Sequence, residues 1–117
     1  MRAAVYSFSL RGAELSKKVG DFLHTLGYEV QVETLPKYAE EAKLPAMVGN
    51  HYQVTEEAFK NCQAIVYVGS VGIAVRSIAP FLKSKLVDPA IISVDERGNF
   101  VIPLVAGHIG GSNELAR

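Results

Sequence analysis

The hydrophobic pattern of the chain alternates between short apolar runs and longer stretches of helical spacing. Ala3 to Phe8 is continuous, apolar and β-prone, and a second run through Val66, Tyr67 and Val68 closes at Gly69. Both read as strands buried on two faces, as a parallel sheet requires. After a turn at Ser9, Leu10, Arg11 and Gly12, the residues Leu15, Val19, Phe22, Leu23 and Leu26 recur at helical spacing, with Lys17, Lys18, Asp21 and His24 opposite them. Gly27 ends this helix, Gly20 inside it marks a close approach to the sheet, and His24 reads as a solvated surface side chain.

From Tyr28 to Leu35 the period changes to two, with Glu29, Gln31 and Glu33 set against Val30, Val32 and Leu35, the signature of a half-exposed edge strand. Pro36 to Gln53 is irregular, a surface connection holding a short helix over Ala39 to Lys43 and an exposed His51. Thr55, followed by Glu56 and Glu57, reads as the N-cap of a helix through Ala58 and Phe59. Cys62 precedes the central strand as a small packing residue.

Beyond Gly69 the chain turns through Ser70, Val71 and Gly72 into a helical pattern carrying Arg76. Pro80 must kink or restart that helix, and Lys83 and Lys85 lie at its far end. Asp88-Pro89 turns into a strand from Ala90 to Val94. A turn at Glu96 to Asn99 and a strand from Phe100 to Pro103 complete a hairpin. In the last stretch, Ser112 or Asn113 caps a helix of which Glu114 to Arg117 remain, so the chain reads as part of a longer protein. The expected architecture is an α/β domain over residues 1–117: an open, mostly parallel five-stranded sheet in the flavodoxin-like order 2-1-3-4-5, ending in an antiparallel hairpin, with helices on both faces.

Composition sharpens this picture only slightly. Of 117 residues, 49% are hydrophobic and 21% charged, the balance of a globular fold. Twelve basic and twelve acidic residues cancel, which removes the electrostatic footprint of a nucleic-acid or anionic-membrane binder. The apolar runs are too short to span a bilayer and the N-terminus lacks a cleavable signal pattern, so a cytoplasmic location is expected. One cysteine excludes an internal disulfide and a Cys-based zinc site. Neither a dinucleotide fingerprint nor a P-loop follows any strand, and the three histidines are far apart in sequence, so no protein-held metal is expected.

Two glycine clusters carry the candidate chemistry. In the first, Gly69 and Gly72 bracket a strand-to-helix turn whose amides and dipole favour an anion, and Arg76 adds a donor fork for carboxylate or phosphate. A tight turn with an outward, salt-bridging arginine would look the same. In the second, Gly107, His108, Gly110 and Gly111 place an imidazole just ahead of Ser112 and Asn113 at a helix start, where a neutral base, a metal ligand or a capping histidine are all compatible. Asp95 and Glu96, at the end of the fourth strand, are further acid–base candidates, although a hairpin turn also accounts for them. Since the fifth strand should descend, Arg76 and His108 are expected at opposite edges of the sheet.

The segments Gly72-Ile-Ala-Val-Arg-Ser-Ile-Ala-Pro-Phe-Leu82, Asp88-Pro89-Ala90, Val94-Asp95-Glu96, Phe100 to Leu104 and Gly107-His-Ile-Gly-Gly-Ser-Asn-Glu-Leu-Ala116 resemble the cobalamin-biosynthesis protein G family, the cobalt-precorrin-5A hydrolases. The resemblance is nearly continuous over the second half of the chain. It implies an enzyme of corrin-ring synthesis that opens a δ-lactone on a cobalt-bearing tetrapyrrole and releases acetaldehyde, giving cobalt-precorrin-5B. On that reading Gly69, Gly72, Arg76, Gly107, Gly110, Gly111, Ser112 and Asn113 bind substrate, and His108, Asp95 and Glu96 are the catalytic candidates, with His108 either base or axial ligand of the substrate's cobalt. No cofactor beyond that cobalt is implied. The implied partners are the tetrapyrrole and a C-terminal domain or second subunit, with neither nucleic acid nor membrane. A non-catalytic flavodoxin-like module binding a small anion or a partner domain is the alternative.

Overall fold

The computed structural model describes residues 1–83 and 88–105. Its elements are β1 (Arg2–Ser7), α1 (Leu10–Thr25), β2 (Glu29–Thr34), α2 (Pro36–Ala42), α3 (His51–Asn61), β3 (Ala64–Val68), α4 (Val71–Ile78) with a 3-10 turn over Ala79–Phe81, β4 (Ala90–Val94) and β5 (Val101–Val105). The five strands form one sheet in the order β2-β1-β3-β4-β5. Strands β1 to β4 are parallel, and β5 returns antiparallel on β4 with a register irregularity at Ile91/Ile92. The expected order and hairpin are therefore both present.

Alternation along the central strands splits the core in two. Ala4, Tyr6, Ile65, Tyr67 and Ile91 pack towards α3 and α4 with Val54, Ala58, Ala74 and Ile78. Ala3, Val5, Val66, Val68, Ile92 and Val94 face the α1 side with Leu23. Tyr6 and Tyr67 are the largest fully buried side chains, and both hydroxyls find partners: Tyr6 donates to the Val54 carbonyl, and Tyr67 bonds to Thr55 Oγ1.

Several expectations are corrected. Helix α1 begins at Leu10, because Ser9 caps it by accepting from the Gly12 amide, so Leu10 to Gly12 are helical rather than a turn. Its buried face is made of Gly12, Ala13, Ser16, Gly20 and Leu23, whereas Phe22 and Leu26 remain 53% and 49% exposed. Small residues win here because the helix lies close on the sheet: a Cβ on Gly20 would stand 2.7 Å from Val32 Cγ2. The short helix after β2 spans Pro36–Ala42, starting on the proline whose missing N–H has no partner to lose at that position. Helix α3 starts five residues earlier than Thr55 suggested. Asn50 and Gln53 form a reciprocal capping box there, and Thr55 is buried inside the helix. Strand β5 runs to Val105, beyond the expected Pro103.

Candidate functional site

At the carboxyl ends of β1 and β3 the chain departs towards opposite faces of the sheet, into α1 and α4. This is the switch point at which open α/β sheets bind ligands. The α1 side of this crevice is tightly filled. A Cβ on Gly12 would lie 3.1 Å from the Val68 carbonyl oxygen and 3.0 Å from Ser9 Oγ, so only glycine lets the first turn of α1 approach β3 this closely. Ser9 Oγ accepts from Gly12 N at 2.9 Å and donates to Glu96 Oε2 at 2.6 Å. The cap of α1 thus already faces a carboxylate from within the chain.

The α4 side carries a cation instead. Gly69 adopts φ +151°, a conformation side chains disfavour, while its N–H donates to the Val94 carbonyl at 2.8 Å and ties β3 to β4. Ser70 caps α4 by accepting from Gly72 N at 3.2 Å. The Arg76 guanidinium folds back along the helix, its Nη2 lying 3.9 Å from where a Gly72 Cβ would stand. Arg76 is exposed and, among the described residues, belongs to neither of the ion pairs, Arg2–Glu29 and Lys17–Glu14. Gly69, Ser70, Gly72 and Arg76 therefore form one unit at the positive end of α4, with five guanidinium donors available to an anion.

The other predicted side chains are separated from this unit or engaged in the fold. Asp95 closes the β4–β5 turn: Oδ1 accepts from Phe100 N at 2.7 Å and Oδ2 from Arg97 N at 3.3 Å. The Phe100 amide, followed by those of Arg97 and Asn99, holds its carboxyl below the usual aspartate range. Glu96 is bonded to Ser9 as described. Gly107, His108, Gly110, Gly111, Ser112 and Asn113 lie outside the described residues, as does Lys85. Strand β5 does descend: Val101 pairs with Val94 and Val105 with Ile91, so the chain leaves β5 at the sheet edge opposite Arg76.

One polar pairing was not anticipated. His51, expected to be exposed, is half-buried in the first turn of α3, with Nδ1 2.6 Å from Ser77 Oγ on α4. Ser77 is fully buried and donates to the Ile73 carbonyl at 2.7 Å. The local signal was the Asn50-x-x-Gln53 capping pattern, which places His51 at a helix start; the partner, 26 positions away, left no local trace. Elsewhere, burial pushes the Tyr67 phenol up to about 12 and raises the Cys62 thiol and the Glu33 carboxyl above their ordinary values. Cys62 is buried in the core, as expected of a packing residue. Ser7 Oγ, buried beneath the first turn of α1, has no hydrogen-bond partner among the described residues.

The strands and helices define an open α/β domain with a switch-point crevice at the carboxyl edge of its parallel strands. A family model described as "Cobalamin synthesis G N-terminal" matches residues 53–117, and the chain belongs to that family. The cobalt-precorrin-5A hydrolase of Salmonella typhimurium is 35% identical over 114 residues, covering 97% of this chain and 31% of the relative. That of Priestia megaterium is 30% identical over 114 residues, covering 97% and 30%. A crystal structure described as a cobalamin biosynthesis protein G homolog from Sulfolobus solfataricus shares the fold with a TM-score of 0.74 and 29% identity, over 99% of this chain and 32% of the other. The chain thus spans about 30% of the length of these curated relatives.

Proposed function

We propose that the protein carrying this chain is a cobalt-precorrin-5A hydrolase of corrin-ring synthesis, which opens the substrate's δ-lactone and releases acetaldehyde. The observation that carries this reading is the Arg76 guanidinium folded over Gly72 at the positive end of α4, within the residues matched by the family. The acidic arms of a tetrapyrrole are carboxylates, and a fork of N–H donors beside a helix N-terminus suits them. In lactone opening, water adds to the carbonyl carbon and the ring C–O bond breaks, leaving a carboxylate and an alcohol. The C–C bond from the alcohol carbon to the macrocycle then breaks, its electron pair staying on the macrocycle, which takes up a proton, while the alcohol loses its proton and departs as acetaldehyde. His108, in the second glycine cluster, is assigned the removal of the proton from water. Asp95 and Glu96 hold the hairpin and the cap of α1, and serve as positioning residues. The cobalt belongs to the substrate, and the scheme needs no resident cofactor.

Strand β5 leads away from the Arg76 edge, which supports a pocket with a further wall supplied from outside the described residues. We assign that wall to a C-terminal domain or a second subunit. The test is acetaldehyde release from cobalt-precorrin-5A by the protein carrying this chain. Release that falls by about two to four orders of magnitude in His108→Ala supports the scheme. Turnover within a few-fold of wild type would remove His108 from it.

A further inference from the structure

The His51–Ser77–Ile73 chain has a direction. A serine hydroxyl carries one proton, and Ser77 Oγ lies 2.7 Å from the Ile73 carbonyl oxygen, an acceptor one turn back on α4. With that proton on the carbonyl, Ser77 Oγ accepts from His51 Nδ1–H across the 2.6 Å contact. In that arrangement the neutral imidazole bears its free lone pair on Nε2, and among the described residues nothing is hydrogen-bonded to Nε2. Metal-bound histidines are held this way, with the other ring N–H donated to a fixed acceptor.

A general base becomes cationic and is best supported by a carboxylate on its second nitrogen. His51 has instead a neutral hydroxyl relayed to a carbonyl, and no acidic side chain among the described residues bonds to it. Its place is also suitable. Arg76 directly precedes Ser77 on α4, about 100° around the helix, and is exposed. Tyr52, 40% exposed with its ring centroid 4.2 Å from that of His51, adds an aromatic face beside it.

We infer that His51 Nε2 is an axial ligand for the cobalt of the tetrapyrrole, while Arg76 receives one of the macrocycle's peripheral carboxylates. The inference rests on the proposed hydrolase reading and names a residue that this reading does not use. Coordination replaces a water on the metal with the Nε2 lone pair. The oxidation state of cobalt does not change, and imidazole is a suitable donor for such a centre.

The probe is diaquacobyrinic acid, a cobalt corrin with free carboxylates and no axial base of its own, titrated into the protein at neutral pH. Wild type and His24→Ala should both give the visible-band shift of imidazole coordination, and His51→Ala should abolish it. Ser77→Ala keeps the ring but removes the acceptor for Nδ1–H, and should weaken the coordinated complex about 10-fold. With both variants shown to be folded by circular dichroism, a shift retained in His51→Ala, an unchanged affinity in Ser77→Ala, or no shift in wild type overturns the assignment. Loss of the shift in His108→Ala with retention in His51→Ala would move the ligand to His108. Acetaldehyde release without any shift refutes the ligand alone, whereas a His51-dependent shift without acetaldehyde release refutes the hydrolase reading and upholds the ligand.

Discussion

Ser9 Oγ and Glu96 Oε2, 87 positions apart in the chain, are joined by a 2.6 Å hydrogen bond that ties the cap of the first helix to the turn of the terminal hairpin. The same hydroxyl accepts from the Gly12 amide, so one atom serves a local and a tertiary role at once. Ser9→Ala removes both bonds and should destabilise the domain by about 1–2 kcal/mol in chemical denaturation. Glu96→Gln leaves an acceptor for Ser9 and should cost less than about 1 kcal/mol. If Glu96→Gln proves the more damaging of the two, the carboxylate does more than hold this contact.

Asp95 makes the hairpin sensitive to acid. Its folded carboxyl lies below the ordinary value, chiefly through the Phe100 amide. The stabilisation is therefore complete above the unfolded value of about 3.9 and is lost as pH falls through the folded one. The melting-temperature gap between wild type and Asp95→Ala should be constant from about pH 7 to 5 and close at still lower pH. A gap that widens on acidification would reverse the assigned sign.

Glu33 should behave in the opposite way. Burial raises its carboxyl, so the folded state holds the proton more tightly and the ionised group opposes folding at neutral pH. Glu33→Gln is expected to leave the melting temperature unchanged or slightly higher at pH 7, with the difference vanishing in acid. A clear drop at pH 7 would show that the carboxylate has a favourable partner.

Gly20 separates packing from helix propensity. Alanine would be favoured by about 1 kcal/mol in a free helix. Here its Cβ would meet the stiff Val32 side chain at 2.7 Å, so Gly20→Ala should be net destabilising by about 1–2 kcal/mol. A stabilised variant would mean that β2 yields at its exposed edge.

Much of this architecture is written locally. The β-branched run into Gly69, the period-two pattern of β2, Gly27 at a φ of +95° and the break at Pro80 all act within a few residues, and each reads correctly. What escapes such a reading depends on distant partners. Thr55 before two glutamates looks like a cap, but Tyr67 from β3 claims its hydroxyl inside the helix. Of the expected stripe of α1, Leu23 is buried and Leu15 and Val19 pack against the sheet, but Phe22 and Leu26 stay exposed, because Gly12, Ala13, Ser16 and Gly20 make the closest contact in their place. At the candidate site, Gly69, Gly72 and Arg76 lie within one turn and helix and can be found from sequence. His51 cannot, because Ser77 gives it its orientation from another helix.

The central claim is that Arg76 receives a substrate carboxylate, and Arg76→Lys tests it most directly. Lysine keeps the charge and loses the planar fork. Since Arg76 is exposed and makes no ion pair among the described residues, the fold should not depend on it. Acetaldehyde release from cobalt-precorrin-5A should show KM raised about 10-fold, corresponding to about 1.4 kcal/mol, with the melting temperature unchanged. An unchanged KM with a melting temperature lower by several degrees would make Arg76 a structural residue and contradict the account.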